Sequence, residues 1–239
     1  MVYGNRTIYG QSIGILMLDT RFPRLPGDIG NATTFSYPVM YKIVEQATVD
    51  RVVKEADAGL IEPFVRAGME LIQNGARAIV TSCGFMAIFQ KELAQALPVP
   101  VFTSSLLQVP LVYSMLKQDQ RVGILTADSS SLGERHFRGV GIEQIPMAVA
   151  GLQDTYLGDI LLHNRTELDE DRARKDMEAA AGQLVKEYPD IGAFVLECTN
   201  MPPFAGAVAR ACGLPVFDII TLTDYVHSAL VKKDFRDYL

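Results

Sequence analysis

One stretch of this chain is echoed further along, and the echo constrains the fold more than any other feature. From Gly75 the sequence reads GARAIVTSCGFMAIF, and from Ile191 it reads IGAFVLECTNMPPF. Setting residue 78 against 193 and holding that offset of 115 without gaps pairs Ala78 with Ala193, Val80 with Val195 and Cys83 with Cys198. Met86 then meets Met201, Phe89 meets Phe204, and Pro100-Val101-Phe102 meets Pro215-Val216-Phe217. With Ala94/Ala209 and Ala96/Ala211 this gives ten identities over 28 positions. Shared composition explains matched Ala and Val but not Cys, Met, Phe and Pro together. A second echo, Gly-Ile-Leu at 14–16 and 123–125, is followed in each copy by an acidic residue, Asp19 and Asp128. Its offset is 109, so an insertion or deletion separates the two matches.

The segments around these echoes alternate in type. Apolar, β-branched runs begin at Ser12, Tyr41, Ala76 and Pro100, and again at Arg121, Ile142, Gly192 and Pro215. Helix-like segments lie between them, among them 57–74, 86–96 and 169–188. Strands alternating with helices of ten or more residues imply βαβ units and parallel sheet. Nearly continuous apolar strands imply that helices cover both sheet faces. The expectation is an α/β protein of two similar Rossmann-like lobes with mainly parallel sheets, related by a pseudo-twofold, with an active site in the cleft between them. The polar step Lys117-Gln118-Asp119-Gln120 marks the boundary. Lobe 1 is expected to hold residues 1–118 plus 217–239 and lobe 2 residues 119–216. The amphipathic tail from Thr221 to Leu239 is expected to pack back on lobe 1.

Bulk properties exclude several classes. No apolar run reaches the roughly 18 residues that a membrane span needs. The opening residues lack a secretory pattern, with Asp19 and Arg21 where a small-residue cleavage site would stand. These features, with an odd cysteine count, read as a cytoplasmic chain with reduced thiols. The net charge of −6 shows no basic face for nucleic acid. Three Cys and three scattered His, with no CxxC, give no metal site. Without a GxGxxG or P-loop fingerprint no cofactor is expected.

In both copies the cysteine ends a strand and precedes a helix, where open parallel sheets bind ligands. Free N–H groups and the helix dipole there favour a carboxylate and lower a thiol's pKa towards neutrality. A buried Cys at a strand end is commonly a small hydrophobe, but two at matched places suit proton transfer from opposite faces of one carbon. Cys83 and Cys198 are the catalytic candidates, and Cys212, before Gly213, is read as structural. Thr199 and Asn200 cap the next helix or touch substrate. The long connection from Thr20 to Pro38 is expected to lie over the cleft, where Arg21, Arg24 or Thr33 could meet a carboxylate. His136 and His227 are read as lying on surface helices, and His163 in a polar connection.

The motifs VTSCGF and LECTNMP resemble those of the aspartate/glutamate/hydantoin racemase superfamily. The resemblance covers nearly the whole chain in element order. It implies two α/β lobes and a cofactor-independent racemase or epimerase, an isomerase. Cys83 and Cys198 would exchange protons at a carbon α to a carboxylate or carbonyl of an amino acid or hydantoin. It also implies an acidic helper at Asp19, and substrate contacts from Ser82, Gly84, Phe85, Thr126, Thr199 and Asn200. Homodimers are common in that superfamily. Amino-acid racemases of the superfamily usually carry Asn-Thr after the first cysteine, whereas Gly84-Phe85 follows here. Glutamate racemases have His where this chain has Asn200. Maleate-isomerase-like and arylmalonate-decarboxylase-like chemistry on the same scaffold is the alternative.

Overall fold

The structure is a computed structural model, and it describes residue 1 and residues 4–234. The first half of the chain contributes β1 (Ile13–Leu18), β2 (Val39–Val44), β3 (Ala78–Thr81) and β4 (Val101–Phe102). Its helices are α1 (Ile61–Gln73), α2 (Gln90–Ala96) and α3 (Val109–Ser114). The second half contributes β5 (Arg121–Thr126), β6 (Met147–Gly151), β7 (Ile191–Leu196) and β8 (Val216–Phe217). With these go α4 (Glu134–Val140), α5 (Tyr156–Leu162), α6 (Glu170–Glu187), α7 (Ala205–Cys212) and α8 (Ile219–Leu230). The strands form two parallel four-stranded sheets in the same order, β2-β1-β3-β4 and β6-β5-β7-β8. Two α/β lobes of one plan are therefore joined in one chain.

Every residue of β1 and β3 is buried. Alternate side chains of β1 serve different layers, as the two-residue period of a strand requires. Leu16 and Leu18 join Phe64, Ala67 and Leu71 of α1 in the main core. Ile13, Ile15 and Met17 form a second cluster with Ile219 and Leu222 of α8 and with Ile29 and Phe35. The last helix thus returns to the first sheet. Of the amphipathic tail read from Thr221 to Leu239, α8 takes the part up to Leu230, and residues 235–239 lie outside those described.

The echoed glycine has a packing reason. Gly14 stands opposite Ile79 in the β1/β3 ladder, and Gly123 opposite Phe194 in the β5/β7 ladder. A Cβ on Gly14 would meet Ile79 Cδ1 at 2.8 Å, and one on Gly123 would meet Phe194 Cε1 at 2.8 Å. In each lobe the large residue of β3 or β7 leans over the bare backbone of the central strand.

Several boundaries differ from the sequence reading, each for a local reason. The strand expected from Ile142 starts only at Met147, because Ile142 is buried in a turn that follows Gly141 at φ 74°. Residues 84–89 are 3₁₀ rather than α, and the α-helix starts at Gln90. The run from Tyr41 stops at Val44, before Gln46 at φ 65°. By contrast, Asp169 caps α6 as an N-cap should, accepting from the backbone of Asp171 and Arg172.

Because the Phe194 ring is rigid and fully buried, Gly123→Ala is expected to destabilise the fold by about 1–3 kcal/mol through overpacking. Gly14→Ala, whose two nearest contacts are the flexible ends of Ile79 and Leu71 with the Ala76 Cβ at 3.1 Å beyond them, is expected to cost less. Urea unfolding of both variants, with unchanged denaturant slope, measures the difference.

Candidate active site

The two cysteines are carried to the cleft by the central strands. Beyond β3, the Ser82 N–H continues the ladder to the Leu16 carbonyl at 2.9 Å, and Cys83 follows in an extended conformation. Beyond β7, the Glu197 N–H donates to the Leu125 carbonyl at 2.8 Å, and Cys198 follows. The strand ends then meet reciprocally. Thr199, just after Cys198, donates its hydroxyl to the carbonyl of Ser82, just before Cys83, at 2.6 Å. Gly84, just after Cys83, packs on Glu197, just before Cys198. A Cβ on Gly84 would lie 2.2 Å from both the carbonyl oxygen and Oε1 of Glu197. Ser105 adds a further tie, donating to the Leu196 carbonyl at 2.6 Å.

Both thiols open onto one cavity, with Cys83 half-buried and Cys198 buried. Its enclosed volume is about 30 Å³, and its wall is mainly apolar: Leu18, Phe22, Val49, Val53, Phe85, Ala127, Leu161 and Leu162. Polar groups reach it from Thr20, Arg24, Ser82 and Asn200. The connection from Thr20 to Pro38 closes over this space as a strap. The backbone N–H groups of Arg21 and Phe22 donate to Asn164 Oδ1 of lobe 2, at 2.6 and 3.2 Å. Gly27, at φ 101°, packs against Pro203, and Ile29 N–H donates to the Thr199 carbonyl. Within the strap Arg24 pairs with buried Asp28 at 2.7 Å and donates to Thr20 Oγ1. Asp28 also accepts from Asn200 Nδ2 at 2.7 Å, and Cys198 Sγ donates to Asn200 Oδ1 at 3.5 Å.

The residues singled out in the sequence divide into two groups. Cys83, Cys198, Ser82, Gly84, Phe85 and Asn200 line the cavity. Thr126 and Thr199 are fully buried behind it: Thr126 donates to Glu197 Oε2 at 2.7 Å, and Thr199 joins the lobes. Asp19 is exposed and stands off the cavity wall, its backbone N–H bonded to Ala47. Its counterpart Asp128 is buried and accepts from Ser130 and Ser131. Arg24 is the strap arginine that reaches the cavity, while Arg21 and Thr33 are exposed. Nor is His136 on the surface. It is buried, accepts from the Gly133 N–H at Nδ1, and sets its ring edge-on to Phe85 at 5.3 Å. His227 stacks on Tyr37 at 3.5 Å, and His163 pairs with Asp159 at the surface.

The electrostatics correct the expectation of acidified thiols. Burial pushes Cys83 up to about 12, and the nearby Glu197 carboxylate adds to this; the N–H groups of Phe85 and Met86 and the Arg24 cation act in the opposite direction. Cys198 is raised well above the ordinary thiol value, again by burial first and Glu197 second, while the Asn200 N–H favours its ionised form. Short 3₁₀ turns follow both cysteines, so a long helix dipole does not oppose desolvation. Glu197 is the site residue that the sequence reading passed over. It is fully buried, its Oε1 has no hydrogen-bond partner, and burial pushes its carboxyl up to about 7 against the hydrogen bond from Thr126. Its sequence signal is a charged residue closing an apolar run where the other copy has Ser82.

Two α/β lobes of one plan are also the fold of solved arylmalonate decarboxylases and aspartate racemases. An arylmalonate decarboxylase variant in a sulfate-associated form superposes with a TM-score of 0.63 at 19% identity, over 95% of this chain and 97% of that one. An aspartate racemase homologue from Pyrococcus horikoshii OT3 superposes at 0.59 and 15% identity, over 92% and 100%. No family model matches the chain. Within that fold the chain belongs to the dimethylsulfoniopropionate lyase family. It is 32% identical over 221 residues to the dimethylsulfoniopropionate lyase of Durusdinium sp. clade D, covering 90% of this chain and 73% of that protein. Dimethylsulfoniopropionate lyase 7 of Emiliania huxleyi is 31% identical over 93% of this chain and 68% of its own length. These relatives overturn the racemase reading and with it the isomerase class, since they are lyases.

The raised Glu197 carboxyl has a consequence for stability. The folded chain holds this proton more tightly than the unfolded one, so the stabilisation is full below the unfolded value and is lost as pH rises through the folded one. Between about 4.5 and 7, the wild type is expected to lose stability relative to Glu197→Gln, by on the order of 3 kcal/mol at most. Paired urea titrations at pH 5 and pH 8 measure this.

Proposed function

We propose that this chain is a dimethylsulfoniopropionate lyase, eliminating dimethyl sulfide from its substrate to leave acrylate. The observation that carries the reading is the 32% identity to a named lyase over 90% of the chain. The cavity is chemically suited to that substrate. A dimethylsulfonium group carries charge but offers no hydrogen-bond donor, so its methyl groups fit apolar walls such as Leu161, Leu162 and the Phe85 ring. At the other end of the molecule a carboxylate needs donors. The Arg24 guanidinium bonds Asp28 and Thr20 through two of its five N–H groups, leaving three.

The reaction asks for one base and no acid. A thiolate takes the proton on the carbon α to the carboxylate, and that electron pair forms the Cα=Cβ bond. The Cβ–S bond breaks with its pair going to sulfur, and dimethyl sulfide leaves as a neutral molecule that needs no proton. The base is Cys83 in this reading: it has two backbone N–H groups and the Arg24 cation favouring its thiolate. Cys198 is disfavoured as the base because its S–H is held by Asn200 and Asp28 opposes its ionisation. A substrate cation inside the cavity favours the thiolate further, since a nearby positive charge lowers a thiol's pKa. The three free cysteines fit a reducing compartment, the cytoplasm in this reading. Among the described residues no helix is long and apolar enough to cross a membrane.

Two measurements test the proposal. Gas-chromatographic release of dimethyl sulfide should fall at least about a thousandfold in Cys83→Ser and less in Cys198→Ser. The reverse order would move the base to Cys198, and no release from folded wild type would sink the lyase assignment. Because burial raises both thiols, kcat/KM should climb as pH is taken from 7 to 9, and a flat profile would exclude a thiolate base.

A further inference from the structure

Glu197 has no role in the elimination as written, yet the fold goes to some length to bury it. Its carboxyl is fully buried and has one hydrogen bond, from Thr126. Its second oxygen has no partner and rests where a side chain on residue 84 would otherwise stand. In chain terms it directly precedes one cysteine, and in space it touches the residue directly after the other. Among the described residues it forms no ion pair. Arg24 pairs with Asp28 and not with Glu197, and Ser105, which contacts this strand end, bonds main-chain carbonyls. An unpaired buried carboxylate is costly, and leaving an oxygen unsatisfied adds to the cost. The packing also explains the departure noted in the sequence. Residue 84 is glycine because the Glu197 carboxyl fills the space that a larger residue there would need.

We propose that Glu197 is a positioning residue of the cysteine pair, and that its protonation state sets how readily both thiols ionise. Protonated, it is a neutral wedge between the strand ends. Ionised, it places a negative charge beside both sulfurs and opposes a second one, as in any closely coupled pair of acids. The titratable and charged groups facing this arrangement are Cys83 after β3, Cys198 after β7, and Arg24 and Asp28 of the strap. Thr126 after β5 is its uncharged partner. The inference rests on the lyase reading only in taking the thiols as the working groups.

The test reads thiol ionisation directly, without substrate. Alkylation of Cys83 by iodoacetamide, followed by peptide mass spectrometry from pH 6 to 10, gives the rate as a function of thiolate fraction. Glu197→Gln keeps the shape and removes the charge, and is expected to alkylate about tenfold faster than wild type at pH 8, one unit of pKa. Thr126→Val leaves Glu197 in place but removes the hydrogen bond that favours its ionised form, so it should shift the rate in the same direction. Equal pH profiles for wild type and a folded Glu197→Gln would overturn the proposal. If that variant does not fold, an unshifted Thr126→Val would do the same. Faster alkylation in a protein that releases no dimethyl sulfide would leave this inference standing while the lyase assignment falls. Normal release with unmoved alkylation would do the opposite.

Discussion

The structure depends on how two strand ends meet. A hydroxyl one residue after Cys198 binds the carbonyl one residue before Cys83, and a glycine one residue after Cys83 receives the side chain one residue before Cys198. These contacts are pseudo-symmetric in position but not in chemistry. One is a hydrogen bond of 2.6 Å and the other a steric fit. Together they hold both thiols at one cavity without a direct bond between the sulfurs. Each sheet delivers its end by the same device, a bare glycine on the central strand beneath a large residue of the next. Sheet geometry, strand-end contact and thiol placement are consecutive consequences of one repeated unit.

The cavity that results disfavours thiolates. Its walls are apolar, its one nearby cation is paired, and a carboxyl lies behind both sulfurs. Burial and the Glu197 carboxylate both favour the protonated thiols. In the proposed lyase reaction a sulfonium substrate would shift that balance, since a nearby cation lowers a thiol's pKa.

Much of this architecture can be read from the residues. The 115-residue offset between the Cys83 and Cys198 segments predicts two lobes of equal plan, and the sheets have the same strand order. The cysteines, Gly84, Phe85 and Asn200 were legible as cavity residues because they follow echoed strands. Glu197 was not, because a polar residue closing an apolar run ordinarily marks a solvent-facing strand end. Only the lobe packed against it makes it buried. Asp19 misleads for the converse reason: it shares a position with Asp128, but only Asp128 turns inward to accept from Ser130 and Ser131. His136 lies among charged residues of α4 and so reads as exposed, yet the helix rolls that face onto Phe85. The reaction class was beyond reach, since one pair of thiols serves both proton exchange and elimination. Their electrostatics come from contacts between residues far apart in sequence.

The strap breaks the pseudo-twofold above the cavity. It leaves lobe 1 after β1 and fastens to Asn164 of lobe 2, so Arg24 approaches the thiols from one side alone. In the proposed lyase reaction, a carboxylate held by Arg24 would set the two α-hydrogens of the substrate in different surroundings. Asymmetry imposed by one loop on a duplicated frame would then become prochiral discrimination.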